Sequence, residues 1–297
     1  MTLHAWIIAI LVQALVAATP LTLAGLGELT AERGGVINVG IEGMMLLGAI
    51  TAFAVGMTGN PYLALAAAPL AGMALGLVFA LATIVFRVDQ IVCGMAINLL
   101  AVGVSGTAWV ALQNHDLTTL PDAAAFHRLW GQQYGLTYVV AGLCVAWWWA
   151  LGRSRAGIIV RALGESAQAC AANGIAVRRW RLGLVLVGGA CAGTAGAFLS
   201  IMDIQGFEPG MTGGRGFLVL ALVIFGRWRV EGLVAGSLFF GALDSLQVHF
   251  QGLGFDRYLP YQAFQMLPYV AALCALAMLS RSAPGPAQLG RPYPSRS

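Results

Sequence analysis

Long apolar stretches separated by short polar segments make up almost the whole chain. Their continuous apolar character, without strict alternation, predicts spanning helices at 3–25, 40–57, 62–86, 91–113, 134–151, 182–204, 231–249 and 262–280. A span takes about 20 apolar residues, and helix is expected because lipid offers the backbone no hydrogen-bond partners. A further apolar run, 217–226, has about half that length and predicts part of a broken helix. The pattern predicts an all-α polytopic membrane protein with about eight spans plus broken or re-entrant segments.

The composition agrees with a membrane protein. Of the 297 residues, 59% are hydrophobic and 9% are charged, against roughly 45–50% and 25% in globular domains. All 16 basic residues are arginine, so the net charge of +4 reflects their placement relative to the membrane and gives no sign of nucleic-acid binding. The 5 cysteines lack CxxC spacing, which favours free thiols over disulfides or metal sites. The apolar N-terminal run is expected to be a retained span, because no basic segment precedes it.

The arginine distribution predicts the orientation, since positive residues accumulate in cytoplasmic loops. An arginine-rich polar segment, 153–181, is therefore expected in the cytoplasm, and the Pro-rich tail 281–297 is expected there in a disordered state. The loop 114–133 is then external. Residues 1–280 are predicted to form a single transmembrane domain. The count of crossings places residue 1 outside unless 26–40 enters the membrane and returns.

The polar segment contains a predicted helix over 157–172, with Asn173-Gly174 as its C-terminal cap. Arg161 and Glu165 are four residues apart and are expected to pair on its surface. Two interpretations stay open for this helix. It is either a plain amphipathic surface helix or an element that docks into a cytoplasmic partner.

Several long stretches resemble a known family. The segment at 153–175, RSRAGIIVRALGESAQACAANGI, resembles the cytoplasmic coupling loop of binding-protein-dependent ABC importer permeases. The resemblance is to the nucleoside and simple-sugar branch, which is related to branched-chain amino acid and ribose permeases. Further agreement comes from LGELTAERGGVINVGIEGMMLLGA, FRVDQIVCGMAINLLAVG, GRGFLVLALVIFGRW and FQMLPYVAALCALA.

The resemblance implies a permease subunit in a bacterial inner membrane, working with a cytoplasmic ABC ATPase, an external solute-binding protein and a second permease, with a heterodimer favoured. It places Arg161, Gly164 and Glu165 in the loop that seats in the ATPase. It also implies a nucleoside as solute, with a simple sugar second. The chain itself is expected to be no enzyme and to hold no cofactor, because ATP binds the partner. A Walker A loop needs lysine, and this sequence contains none.

A first polar group in the apolar pattern surrounds the glycines at 34, 35 and 40. It comprises Glu28, Glu32, Arg33, Asn38 and Glu42. Ionisable groups at membrane depth are costly and face cavities or partners, so Asn38 and Glu42 are candidates for lining the translocation path. The structural alternative is that Glu42 pairs with Arg33 or caps a broken helix through its carboxylate.

A second polar group, Asp89, Gln90 and Asn98, opens the fourth apolar run. Asn98 lies about two helical turns beyond Gln90 on the same face. Gln90 and Asn98 are therefore candidates for the path, and hydrogen bonding between helices is the alternative for Asn98. Asp203 and Asp244 receive no assigned role.

The segment GMTGGRG at 210–216 predicts a bend before the half-length run. Its pattern is similar to that at 34–48, which suggests an internal repeat. The rival functional class is an ion-driven secondary transporter, for which Glu42 and Asp244 are the candidate ion-binding residues. An export permease is disfavoured by the resemblance. An intramembrane enzyme is disfavoured because the 4 histidines show no HExxH or triad spacing.

Overall fold

The computed structural model describes residues 3–115, 117–122, 126–252, 266, 270 and 285–291. Within these residues the chain forms ten α-helices and no strand: α1 Leu3–Arg33, α2 Ile41–Gly56, α3 Pro61–Ala80, α4 Gln90–Asn114, α5 Gly135–Arg153, α6 Arg155–Glu165, α7 Ala167–Ala172, α8 Val177–Ala197, α9 Arg215–Phe225 and α10 Val230–Gly252. Five helices of the described part are long and apolar enough to cross a membrane, and α2 and α9 are shorter apolar helices. The predicted all-helical polytopic fold is confirmed. The predicted span 262–280 lies outside the described residues apart from 266 and 270.

α8 lies at the centre of the bundle, because glycines let its neighbours approach closely. A Cβ atom on Gly72 of α3 would collide with the carbonyl of Gly189, and one on Gly196 would collide with the carbonyl of Met45 in α2. α1 packs on the same helix, where Gly27 faces Gly188. Small residues of this kind allow helices in lipid to pack backbone against backbone. Three neighbours therefore hold α8 in a fixed position.

The two ends of the bundle differ in charge. We call the end that carries Arg33, Arg153, Arg161, Arg227 and Arg229 the basic end, since these residues line two adjoining cavities there. The opposite end, called the far end, holds the described parts of the loop 114–133.

Contacts at the far end place the first helix. The side chain of Gln133 donates to the Val12 carbonyl over 2.9 Å, and the rings of Tyr62 and Phe126 meet at 5.9 Å. α1 therefore begins at the far end and crosses the whole bundle, which agrees with the predicted sides of 114–133 and 153–181.

Two interrupted helices distinguish this bundle from a simple one. α1 continues past the predicted boundary at residue 25 to Arg33, and the irregular segment 34–40 then leads into α2. The backbone at Gly35 has φ +87°, a conformation that favours glycine. α8 continues through a wider turn, Phe198–Asp203, and an irregular segment at 204–214 leads into α9. Both predicted breaks are confirmed.

The two short helices start deep within the bundle. α9 has 11 residues, so it rises about 16 Å from the basic end, roughly half of a 30 Å hydrocarbon core. α2 begins beside Asn98, about two turns into α4 from the same end. The N-termini of α2 and α9 therefore meet near the middle of the membrane. The two helices run from that level toward opposite ends.

The polar segment 153–181 differs from its prediction in one respect. The expected single helix over 157–172 is wrong, because Ser166 (φ −152°, ψ 93°) divides it into α6 and α7. The Ser166 hydroxyl accepts a hydrogen bond from the Ala169 amide at 3.2 Å, which caps α7. α7 ends at the predicted cap, where Gly174 has φ +80°.

The tail also differs from its prediction where the structure describes it. Residues 285–291 form turns against the bundle, whereas the composition predicts disorder for 281–297. The backbone amide of Gln288 donates to the Gly164 carbonyl over 2.8 Å, and the Arg181 side chain donates to the Arg291 carbonyl over 3.0 Å. A composition rich in Pro and Gly suggested disorder, but these backbone contacts hold the segment in place.

Candidate translocation and coupling site

Side chains of α1 and α4 hold the irregular segment 34–40. Its backbone lacks helical hydrogen bonds, and buried amides need other partners. The backbone amide of Asn38 donates to the Glu28 carboxylate over 2.9 Å, and the backbone amide of Ile37 donates to the Gln90 side chain over 2.8 Å. Both acceptors are buried. Gln90 therefore satisfies the backbone of the break.

Asn98 holds the junction between this segment and α2. Its side-chain oxygen accepts from the Gly43 amide at 2.8 Å, and its side-chain nitrogen donates to the Val39 carbonyl at 3.0 Å. The residue is 7% exposed. These bonds correspond to the alternative in which Asn98 joins helices. A role of Asn98 in the translocation path stays a prediction.

Glu42 links the two interrupted helices. Its carboxylate accepts hydrogen bonds from the amides of Gly214, at 2.8 Å, and Gly216, at 2.6 Å. These amides belong to the N-terminus of α9, where unpaired N–H groups and the helix dipole favour a negative charge. The predicted alternative of a capping carboxylate is therefore observed, although the capped helix lies 172 residues downstream. The expected pairing with Arg33 is absent from the described contacts of Glu42.

Asn38 lies at the centre of the break and is fully buried. Its side-chain nitrogen contacts the Met44 sulfur at 3.3 Å, while its side-chain oxygen has no hydrogen-bond partner among the described residues. The structure thus brings Asn38, Glu42, Gln90 and Asn98 together around one break, and their role in the path stays a prediction. Three of the four bond to backbone groups of the two irregular segments.

Two further charged residues of this region, Glu32 and Arg181, are not among the candidate site residues. Glu32 is buried and accepts from the Trp228 indole at 2.6 Å, which joins α1 to the turn between α9 and α10. The charge of Arg181 predicts only the orientation of the segment, but the residue is 2% exposed and donates to the Gly34 carbonyl at 3.1 Å. A charge followed directly by an apolar span was the available signal for Arg181.

An aromatic cluster also adjoins the second break. The ring of Phe207 on the irregular segment lies 5.5 Å from that of Trp109 and 6.3 Å from that of Phe53. Phe53 and Trp109 are 5.7 Å apart. The three rings join α2, α4 and the segment that precedes α9. The sequence gives no sign of this cluster, because the three residues are far apart along the chain and come together only in the fold.

Gly164 is the point where α6 meets the end of α1. It is buried, and a Cβ atom there would collide with the Arg33 carbonyl. Its own carbonyl accepts from the Gln288 amide. The next residues along the chain from Arg33 form the first break. α6 therefore touches the bundle at the base of that break.

Arg161 and Glu165 are exposed on α6. Arg161 donates to the carbonyls of Gly157 and Gly152, each over 3.3 Å. The expected ion pair with Glu165 does not occur within 4.0 Å among the described residues. Ile158, on the same helix, is 56% exposed. α6 thus presents an apolar and charged face away from the bundle, with its buried face formed by Leu163 and neighbouring residues.

Comparisons with known proteins place the chain. The family model described as "Branched-chain amino acid transport system / permease component" matches residues 10–276. A provisionally named glucose ABC transporter permease of Haloferax volcanii is 38% identical over 80% of this chain and 76% of its own length. A guanosine ABC transporter permease of Bacillus subtilis is 31% identical over 97% of both chains, and a nucleoside ABC transporter permease of Lactococcus lactis is 30% identical over 96% of both. No solved structure matches the chain.

Proposed function

Because the chain belongs to the family of permease components of branched-chain amino acid transport systems, and is the transmembrane permease of an ABC transporter, we propose that it forms the import path for a nucleoside. The observation that carries this proposal is the meeting of two half-helices at Glu42 in the middle of the bundle. Transporters place discontinuous helices of this kind at their solute sites, where helix termini meet polar groups of the solute.

The proposed path is lined around the first break by Asn38, Glu42, Gln90 and Asn98. The buried side-chain oxygen of Asn38 has no partner among the described residues, which supports this role, since such groups usually have a partner in the protein or in solvent. Movement of either half-helix relative to the other would change the Glu42 contacts. Opening and closing at this level would alternate access from the two sides.

The proposed transmission route runs from α6 to the first break. Gly164 contacts the last carbonyl of α1, Arg181 donates to the next carbonyl, that of Gly34, and the backbone amide of Gln288 donates to Gly164. A displacement of α6 would therefore act directly on the segment that precedes α2. Arg161, Gly164 and Glu165 are proposed as the coupling residues. Of these, Arg161 and Glu165 are accessible to a partner.

The proposed partners follow from the family. They are a cytoplasmic ABC ATPase that binds ATP and seats α6, an external solute-binding protein at the far end, and a second permease, which makes a heterodimer. The exposed apolar surface of α4 supports a lipid or permease neighbour, since Leu99 is 72% exposed and Val92 is 65% exposed. The proposed location is a bacterial inner membrane, with the basic end in the cytoplasm.

Two solute classes are favoured by specific relatives. The guanosine and nucleoside permeases align over nearly the whole chain, whereas the glucose permease has the higher identity over a shorter part. The aromatic cluster of Phe53, Trp109 and Phe207 beside the second break supports the nucleoside, because bases stack on aromatic side chains. A simple sugar is the second candidate.

Uptake by cells that express the complete system tests the solute and the energy source. We expect labelled guanosine to accumulate, unlabelled guanosine to compete, and glucose to compete weakly. Efficient competition by glucose alone would establish the second candidate. Transport by the purified chain in vesicles, driven by an ion gradient and without any ATPase, would contradict the proposal.

Charge reversal on α6 tests the coupling role. The variants Arg161→Glu and Glu165→Arg are expected to lose ATPase co-purification or solute uptake while remaining in the membrane. Arg178→Glu is the matched control, because Arg178 is exposed in the same polar segment but lies outside α6. Normal uptake and co-purification in both α6 variants would remove this helix from the mechanism.

A further inference from the structure

A cavity of about 330 Å³ opens at the basic end between α1, α5, α6 and α10. Its lining includes Arg33, Arg153, Arg161 and Arg229, and Glu231 is the only acidic residue among the described residues of the lining. The adjoining cavity of about 300 Å³ shares two of these arginines. Four guanidinium groups thus converge on one space from four different helices or helix ends.

The single carboxylate of this cavity already has two partners. One oxygen of Glu231 accepts from the Trp148 indole at 2.6 Å, and the other lies 3.5 Å from Arg229. Within the described residues, Arg33, Arg153 and Arg161 have no carboxylate within 4.0 Å. The cavity therefore carries uncompensated positive charge.

Among the residues that the structure describes, these three arginines keep hydrogen-bond donors free. Arg161 uses two of its nitrogens on backbone carbonyls of the neighbouring turn. The Arg153 guanidinium lies 5.4 Å from the centroid of the Trp148 ring, and its N–H groups have no hydrogen-bond partner among the described residues. A guanidinium offers five donors in a planar fork that matches the oxygens of a phosphate. The group is therefore suited to a phosphate-bearing ligand.

The position of the cavity indicates the source of that phosphate. α5 is the most exposed of the candidate spans in the described part, and Trp148 and Trp149 on its last turns are 44% and 56% exposed. Tryptophan prefers the level of the lipid headgroups. The cavity thus lies beside lipid at headgroup depth, and basic pockets between helices on the cytoplasmic side are suited to anionic headgroups.

We propose that this cavity binds the phosphate headgroup of an anionic phospholipid from the leaflet at the basic end. The bound headgroup would bridge Arg161 on α6 to Arg33 at the end of α1 and Arg153 at the end of α5. It would thereby brace the coupling helix against the bundle. The proposal takes the orientation given above and is independent of the transported solute.

Native mass spectrometry of the purified chain, without any ATPase, tests this proposal. The chain is titrated with phosphatidylglycerol or with phosphatidylcholine, and excess inorganic phosphate is added in a separate arm. We expect the chain to retain phosphatidylglycerol in preference to phosphatidylcholine. Arg153→Gln is expected to lower the affinity about five-fold, and the double variant with Arg33→Gln roughly 25-fold. Arg178→Gln, which removes an exposed charge outside the cavity, is expected to leave it unchanged.

Three results would overturn the proposal. They are equal retention of the two lipids, an equal loss in the Arg178→Gln control, and binding of inorganic phosphate without any binding of phosphatidylglycerol. The last two would indicate a diffuse surface effect and a soluble-anion site, respectively. Arg153→Gln is the primary variant because its side chain is exposed, and unchanged thermal unfolding in phosphatidylcholine verifies that it folds.

Discussion

Replacement of Glu42 by glutamine weakens the hydrogen bonds that join the two half-helices and preserves the size of the side chain. The carboxylate accepts from the amides of Gly214 and Gly216, and glutamine offers only one oxygen to the same pair. A hydrogen bond to a charged group contributes about 1.5–3 kcal/mol. Glu42 is half-buried, so the lower part of that range applies. We expect the variant to weaken the junction by about 2 kcal/mol, equivalent to a roughly 30-fold change in a local equilibrium.

Hydrogen–deuterium exchange over 210–217 measures this loss directly, because local opening governs the exchange of these amides. Exchange in Glu42→Gln is expected to be roughly 30-fold faster there. Glu208→Gln is the matched control, since Glu208 is an exposed carboxylate of the same irregular region. Unchanged exchange in Glu42→Gln, or an equal change in the control, would refute the reasoning. Faster exchange with normal uptake would identify Glu42 as a structural anchor without a role in the path.

Three other substitutions test neighbouring contacts. Gly164→Ala is expected to push α6 off the end of α1 at a cost of about 1–3 kcal/mol and to reduce uptake, whereas Gly142→Ala, at an open position, is expected to leave uptake unchanged. Asn98→Leu is expected to lower thermal stability by about 3 kcal/mol, because it leaves a buried amide and a buried carbonyl unpaired, while exposed Asn114→Leu changes it little. Gln288→Pro removes the backbone donor to α6 and is expected to impair coupled ATP hydrolysis, whereas Gln288→Ala retains that donor and is expected to behave as the parent chain.

Each of these substitutions has a contrary outcome. Normal uptake in Gly164→Ala would show that α6 tolerates displacement from α1. Equal stability losses in the two asparagine variants would show that helix propensity, and not the hydrogen bonds, determines the change. Equal ATPase rates in the two Gln288 variants would exclude a contribution from the backbone contact of the tail.

The sequence was sufficient to predict most of the helices and the two breaks, because both depend on local composition. Gln90 and Asn98 were found as polar residues within an apolar run, and Glu42 was found in the same way. Their partners could not be predicted. Asn98 bonds to backbone 55 residues away, and Glu42 bonds to backbone 172 residues away. No spacing rule in the sequence reports such distances.

The errors have physical causes as well. The division of the polar segment at Ser166 was signalled by a good N-cap residue, but the apolar pattern across it suggested one continuous helix. Arg181 was interpreted from its charge alone, although it is buried and bonded to two backbone carbonyls. The composition of the tail predicts disorder, and it carries no information about the hydrogen bonds that residues 285–291 form with the bundle.

The contact between Gln288 and Gly164 has a consequence for biogenesis. A ribosome synthesises residues 285–291 only after every helix that they touch has been made, so α6 lacks its last hydrogen-bond donor until then. Nascent chains that stop earlier would present α6 without this support. Any support that this hydrogen bond gives to α6 therefore arises only after the helices of the bundle have been synthesised.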